Sequence, residues 1–79
     1  MLTRLEHGER VAGVKQTRRA LRDGRAKVVF LARDADPALT QPLALLAQEK
    51  GVPVQWADAM GELGRACGLA VGAAVAALI

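Results

Sequence analysis

The sequence predicts an α/β fold in which one small sheet lies between layers of helices. Three observations carry that expectation. Apolar stretches alternate along the chain with segments of helical periodicity, the pattern of strands interleaved with packing helices. Lys27-Val28-Val29-Phe30-Leu31-Ala32 is rich in β-branched and apolar residues, as expected of a strand covered on both faces. The length of 79 residues suffices for one domain, residues 1–79, whose modest core needs helices on both sides of its sheet.

Taken in order, Thr3 is expected to cap a short helix over residues 4–8, with Gly8 ending it. Val11 and Ala12 form a brief strand before Gly13 turns the chain into a second helix. Asp23-Gly24 closes that helix, and residues 27–32 form the buried strand. Arg33-Asp34-Ala35-Asp36-Pro37 reads as a loop. The third helix is expected to start at Thr40 as N-cap, with Pro42 tolerated in its first turn. Its apolar stripe is Leu39, Leu43, Leu46 and Ala47, and Gly51 stops it. Val52-Pro53-Val54-Gln55-Trp56 is a short strand whose proline implies an end or edge position. Asp58 is expected to cap a last helix over residues 59–66, with Met60 and Leu63 facing the core. A loop over residues 67–71 leads to a final apolar strand, residues 72–79.

Net charge is +3, from eleven basic and eight acidic residues. Its distribution is more telling than its size. Arg4, Arg10, Lys15, Arg18, Arg19, Arg22, Arg25, Lys27 and Arg33 all fall in the first half, which favours a polyanionic partner. The single cysteine, Cys67, excludes an internal disulfide, and the single histidine, His7, cannot build a metal site with it. The C-terminal Ala/Val run is shorter than the roughly 20 residues a membrane span needs. Residues 2–10 are charged throughout, unlike a signal peptide, so the expected location is the cytoplasm.

Enzyme signals are scarce. There is no serine or tyrosine, and no base neighbours Cys67, whose Ala66 and Gly68 flanks suit a small packed thiol. His7 reads as a surface residue. Asp34 and Asp36 could pair as acid–base or metal-binding carboxylates, but Asp before Pro is foremost a loop former. Gly61 and Gly64 lack the leading strand of a phosphate loop. Neither Trp56 nor Phe30 sits among basic residues, which argues against base stacking on the sheet.

The second helix is the exception. At about 3.6 residues per turn, Lys15, Arg18, Arg19 and Arg22 share one face, while Val14, Thr17, Ala20 and Leu21 share the other. The apolar stripe is ordinary. The basic face is not, because the positive end of the helix dipole disfavours cations in the opening turn. A phosphate resting on the N–H groups of residues 13–16 would resolve the conflict. A solvated basic face is the alternative. An acidic-Pro loop and the Gly-flanked apolar loop Leu69-Ala70-Val71 complete a set of three features that a layered fold could bring to one end of its sheet.

These residues resemble the kink-turn-binding ribosomal proteins (the L-seven-Ae and thirty-e superfamily) in their short bacterial branch. Gly13-Val14-Lys15-Gln16-Thr17-Arg18-Arg19-Ala20-Leu21 is similar to that family's helix signature. Ala32-Arg33-Asp34-Ala35-Asp36-Pro37 is similar to its acidic loop. The stretch from Leu63 through Cys67, Leu69, Ala70 and Val71 to Ala74 resembles its C-terminal loop and strand. Order and spacing agree over residues 13–79. The resemblance implies a three-layer α/β/α sandwich with a small mixed sheet of about four strands, gripping RNA bent at tandem sheared G·A pairs. It assigns Gly13, Val14, Lys15, Gln16, Arg18 and Arg19 to the RNA-binding helix terminus. Lys15, Gln16 and Arg19 would address the G·A pairs and adjoining phosphates, Asp36 an extruded nucleotide, and Leu69, Ala70 and Val71 its base. Archaeal and eukaryotic members carry Asn-Glu where this chain has Lys15-Gln16, and Lys where it has Arg19. A carboxylate accepts more strongly than a carboxamide, so the affinity implied is lower. The expectation is a monomeric, non-enzymatic protein of the translation machinery with no cofactor, metal or membrane partner. A ribosome-associated structural protein without kink-turn specificity, or a small regulatory protein-binding module, is the alternative.

Overall fold

Alternation along one strand organises the whole molecule. In the computed structural model, which describes residues 3–79, β2 (Val28–Ala32) is buried at every position. Val28, Phe30 and Ala32 point to one face of the sheet, Val29 and Leu31 to the other, as the two-residue period of a strand requires. The first face is covered by α1 (Thr3–His7) and α4 (Met60–Ala66) through Leu5, Leu63 and Ala66. The second is covered by α2 (Val14–Arg22) and α3 (Pro37–Glu49) through Ala20, Leu21, Leu43 and Ala47. The result is a three-layer α/β/α sandwich around a four-stranded sheet, ordered β1-β4-β2-β3.

The edge strands are β1 (Arg10–Ala12) and β3 (Val54–Ala57), and β4 (Val75–Leu78) lies inside. β4 runs antiparallel to both β1 and β2, while β3 runs parallel to β2, so the sheet is mixed as expected. Ala76 and Ala77 of β4 are fully buried on opposite faces. Their small side chains leave room for Leu78 and Leu5 on one side and for Leu21 on the other. Pro53 sits just before edge strand β3, where its missing N–H costs no ladder bond, and its carbonyl accepts from Val29 N–H at 3.0 Å.

Several boundaries differ from the sequence expectation. α3 starts at Pro37, not after Thr40. Asp36 is its N-cap, its Oδ1 accepting from Ala38 N–H at 2.9 Å, and Pro37 fills the first helical position. Thr40 is consequently a buried residue inside the helix. Pro42 lies beyond its first turn, and the stripe shifts to Thr40, Leu43 and Ala47 with Leu39 left 43% exposed. α4 begins at Met60 behind Ala59, and Asp58 does not cap it. The strand expected over residues 52–56 is displaced to Val54–Ala57, and the last strand starts at Val75, three residues past Gly72. α1 spans Thr3–His7 rather than residues 4–8, so Thr3, expected as its cap, falls within the helix, its side chain lying outside the described residues; Gly8 N–H closes that helix on Arg4 O at 2.9 Å. Among the described residues, no helix is long and apolar enough to cross a membrane.

Candidate nucleic-acid interface

Strand registers bring two of the three expected features, and the limb returning from the third, to one end of the sheet. β1 leaves its ladder at Ala12, opposite Ala76, and Gly13 N–H then donates to Val75 O at 3.0 Å. β2 ends at Ala32, whose N–H reaches Ala74 O at 2.9 Å, and Ala32 pairs with Ala57 at the end of β3. The start of α2, the acidic loop and the return limb of the α4–β4 loop therefore meet at that end.

Gly13 makes the turn into α2 with φ +96° and ψ 158°, a region essentially closed to side-chain-bearing residues. Space is not the constraint, since a Cβ there would meet nothing within 4 Å. Of the four N–H groups expected to face an anion, the one on Gly13 is spent on Val75. Those of Val14, Lys15 and Gln16 precede the first intrahelical bond, Thr17 N–H to Gly13 O at 3.0 Å, and no side chain among the described residues caps them. Three unpaired donors at the positive end of a dipole remain available to an anion. Lys15, Arg19 and Arg22 are exposed and Arg18 is half-buried. Together with Asp23 they line one open depression on the outer face of α2. Each like-charge pair three or four residues apart costs a helix about 0.2–0.5 kcal/mol, and α2 itself holds no acid to offset them. The opposite face buries Thr17, Ala20 and Leu21, as the periodicity requires.

The two loop aspartates have different jobs. Asp36 caps α3 with one oxygen and stays exposed, leaving the second oxygen free to accept from a ligand. Asp34 Oδ1 accepts from Met60 N–H at 2.8 Å, capping α4 from 26 residues away. That bond ties the acidic loop to the helix whose far end carries the apolar loop. Among the described residues, no three potential metal ligands cluster.

α4 ends in a glycine-terminated turn, Gly68 N–H bonding Arg65 O at 3.0 Å and Leu69 N–H bonding Gly64 O at 2.9 Å. The chain then runs back along α4 until Ala73 N–H reaches Met60 O at 3.0 Å. Leu69, Ala70 and Val71 are all exposed, with 40% of Leu69 and 72% of Val71 open to solvent. The loop is held by backbone bonds while its apolar side chains face outward. Cys67, at its base, is half-buried beside the α1/α4 core. Burial pushes its thiol pKa up, with the Arg10 charge acting the other way, so the thiol stays protonated and packs as expected. His7 is exposed.

One cluster escaped sequence reasoning. The Arg33 guanidinium carbon lies 5.9 Å from the centroid of the Trp56 ring, and its Nε lies 3.6 Å from Asp58 Oδ1. Trp56 therefore does have a cation beside it, contrary to the sequence expectation. The register that pairs Leu31 with Trp56 sets the meeting, and no local spacing signals it.

The matching family model, "Ribosomal protein L7Ae/L30e/S12e/Gadd45 family", spans residues 2–79. An RNA-binding protein of Bacillus pumilus is 49% identical over 69 residues, covering 87% of this chain and 84% of that protein. An RNA-binding protein of a Geobacillus species is 47% identical over 75 residues, covering 95% and 92%. Among solved structures, the Giardia lamblia 15.5kD RNA binding protein superposes with a TM-score of 0.91 at 32% identity, over 98% of this chain and 68% of that one. With matches that span nearly its whole length and the same layered architecture, the chain belongs to the ribosomal protein L7Ae/L30e/S12e/Gadd45 family, in its short bacterial branch.

Proposed function

We propose that this chain is a non-enzymatic RNA-binding protein of the translation machinery that captures kink-turn RNA, acting as a single copy in the cytoplasm. The observation that carries the reading is an uncapped cationic helix terminus at the end of the sheet where the limb returning from an outward-facing apolar loop enters β4. The names of its bacterial relatives and of the Giardia structure support the RNA partner. Mechanism is shape capture. The N–H groups of Val14, Lys15 and Gln16 and the side chains of Lys15, Arg18 and Arg19 hold phosphates. Gln16 reads the edges of sheared G·A pairs, Asp36 accepts from an extruded nucleotide, and Leu69, Ala70 and Val71 cover its base.

Titration against a kink-turn RNA and a straight duplex of equal length tests this. The kink-turn should bind far more tightly, with log K falling against log[salt] by about 0.7–0.9 per phosphate contact for roughly three to five contacts. Equal affinity for both RNAs would leave a ribosome-associated protein without kink-turn specificity, and binding to neither would favour a protein-binding module.

The loop supplies a second test. Leu69→Ala should lose roughly 1–2 kcal/mol of kink-turn affinity from the apolar area no longer covered. Thermal stability of the free protein should hardly move, because much of Leu69 already faces water. A lowered melting temperature with intact RNA binding would return the side chain to the core.

A further inference from the structure

The Arg33–Trp56–Asp58 cluster has no part in the site as described, yet it sits at the same end of the sheet. Arg33 N–H donates to Ala57 O at 2.9 Å, one residue beyond the paired ends of β2 and β3. Trp56 packs with Leu31 on the sheet face that α2 and α3 cover, so the cluster lies on the side that carries the basic helix. In the order β4-β2-β3, Trp56 stands two strands from the β4 start to which Gly13 is bonded, about 10 Å across at the usual strand spacing. One RNA seated on α2 can span that distance.

Three further features single out Arg33. Its side chain is 62% exposed, with its guanidinium beside the indole and its Nε within ion-pair reach of Asp58. Its two terminal nitrogens make no hydrogen bond among the described residues, which leaves the planar pair of donors that matches two phosphate oxygens. The corner is otherwise acidic. Asp34 and Asp36 follow Arg33 in the chain, each with one oxygen on a helix cap, and Asp58 is its ion-pair partner. An RNA strand passing this corner without Arg33 would face the Asp58 carboxylate alone.

We propose that Arg33, beside Trp56, is a second RNA-backbone contact that takes a phosphodiester group at the β3 edge, with Asp58 as its competing anion. The proposal rests on the RNA-binding reading above and extends its footprint across the sheet. The competition gives it an unusual signature, since removing the cation and removing the acid should act in opposite directions.

Trp56 is the only tryptophan and the chain has no tyrosine, so its fluorescence reports this corner alone. Titration with the same kink-turn RNA should change Trp56 emission with the midpoint of binding. Arg33→Gln should weaken binding about tenfold and lower the salt slope by roughly one contact, with an unchanged melting temperature. Asp58→Asn should tighten binding a few-fold. Wild-type binding without an emission change, together with unaltered affinity in both variants, would overturn the Arg33 contact while leaving the kink-turn reading in place. A wild-type protein that binds no RNA overturns both.

Discussion

Gly64→Ala is expected to destabilise the free protein by at least about 2 kcal/mol, a fall of roughly 10 °C or more in melting temperature for a domain of this size. Gly64 is buried inside α4 where the returning loop crosses it. A Cβ there would overlap the carbonyl oxygen of Val71 and stand 3.0 Å from the Cα of Gly72. Both obstacles are backbone, so no side chain can swing aside. Either α4 lifts off the sheet, uncovering Leu63, or the loop moves away and carries Leu69, Ala70 and Val71 with it. RNA affinity should fall in either case. Gly61, three residues earlier in the same helix, is the control. A Cβ there would meet only the tip of Arg65 at 3.8 Å, and Gly61→Ala should stabilise by about 0.5–1 kcal/mol through helix propensity. Thermal melts of the two variants check the contrast. A harmless Gly64→Ala would mean that the loop does not press on α4 as described.

That contrast shows what a sequence can and cannot disclose. The strands were legible because β2 is an unbroken apolar run and because Pro53 marks an edge. The two faces of α2 were legible because both lie within one helix, where a fixed rotation per residue decides who faces whom. The start of α3 is ambiguous in the sequence because two capping signals compete within five residues. Asp36-Pro37 prevails over Thr40, since Pro37 takes the first helical position and Thr40 is then drawn into the core. The cap of α4 could not be found locally at all. Asp58 stands at the usual place, but the bond comes from Asp34 across the β2–β3 pairing, and Asp58 turns to Arg33 instead. The tight crossing at Gly64 and the meeting of Arg33 with Trp56 have the same origin. Both are set by how distant segments dock, and neither leaves a mark in residue spacing. For the candidate site, the helix terminus and the exposed apolar loop were visible in advance. The entry of the loop's return limb beside that terminus, and the commitment of Gly13 N–H to Val75, need the sheet register.

Gln16→Ala is expected to cost about 1–3 kcal/mol of kink-turn affinity, roughly five- to more than a hundred-fold, while weak binding to a straight duplex hardly changes. Gln16 occupies the first turn of α2, is exposed, and makes no side-chain hydrogen bond among the described residues. Its carboxamide can donate and accept at once, which suits base edges, whereas a phosphate offers acceptors only. Truncation should therefore remove discrimination between RNAs rather than general attraction. Arg18→Ala provides the opposite pattern. Arg18 lies on the cationic face that also holds Lys15 and Arg22, so its loss should weaken both RNAs by similar small factors and flatten the salt dependence by about one contact. The free Arg18→Ala protein should melt no lower than wild type, because one member of a like-charge cluster has gone. Parallel titrations of both variants against both RNAs separate reading from positioning. If Gln16→Ala and Arg18→Ala behave alike, the terminus of α2 is an unspecific cationic patch, and recognition of the kink must lie in the apolar loop or elsewhere on the fold.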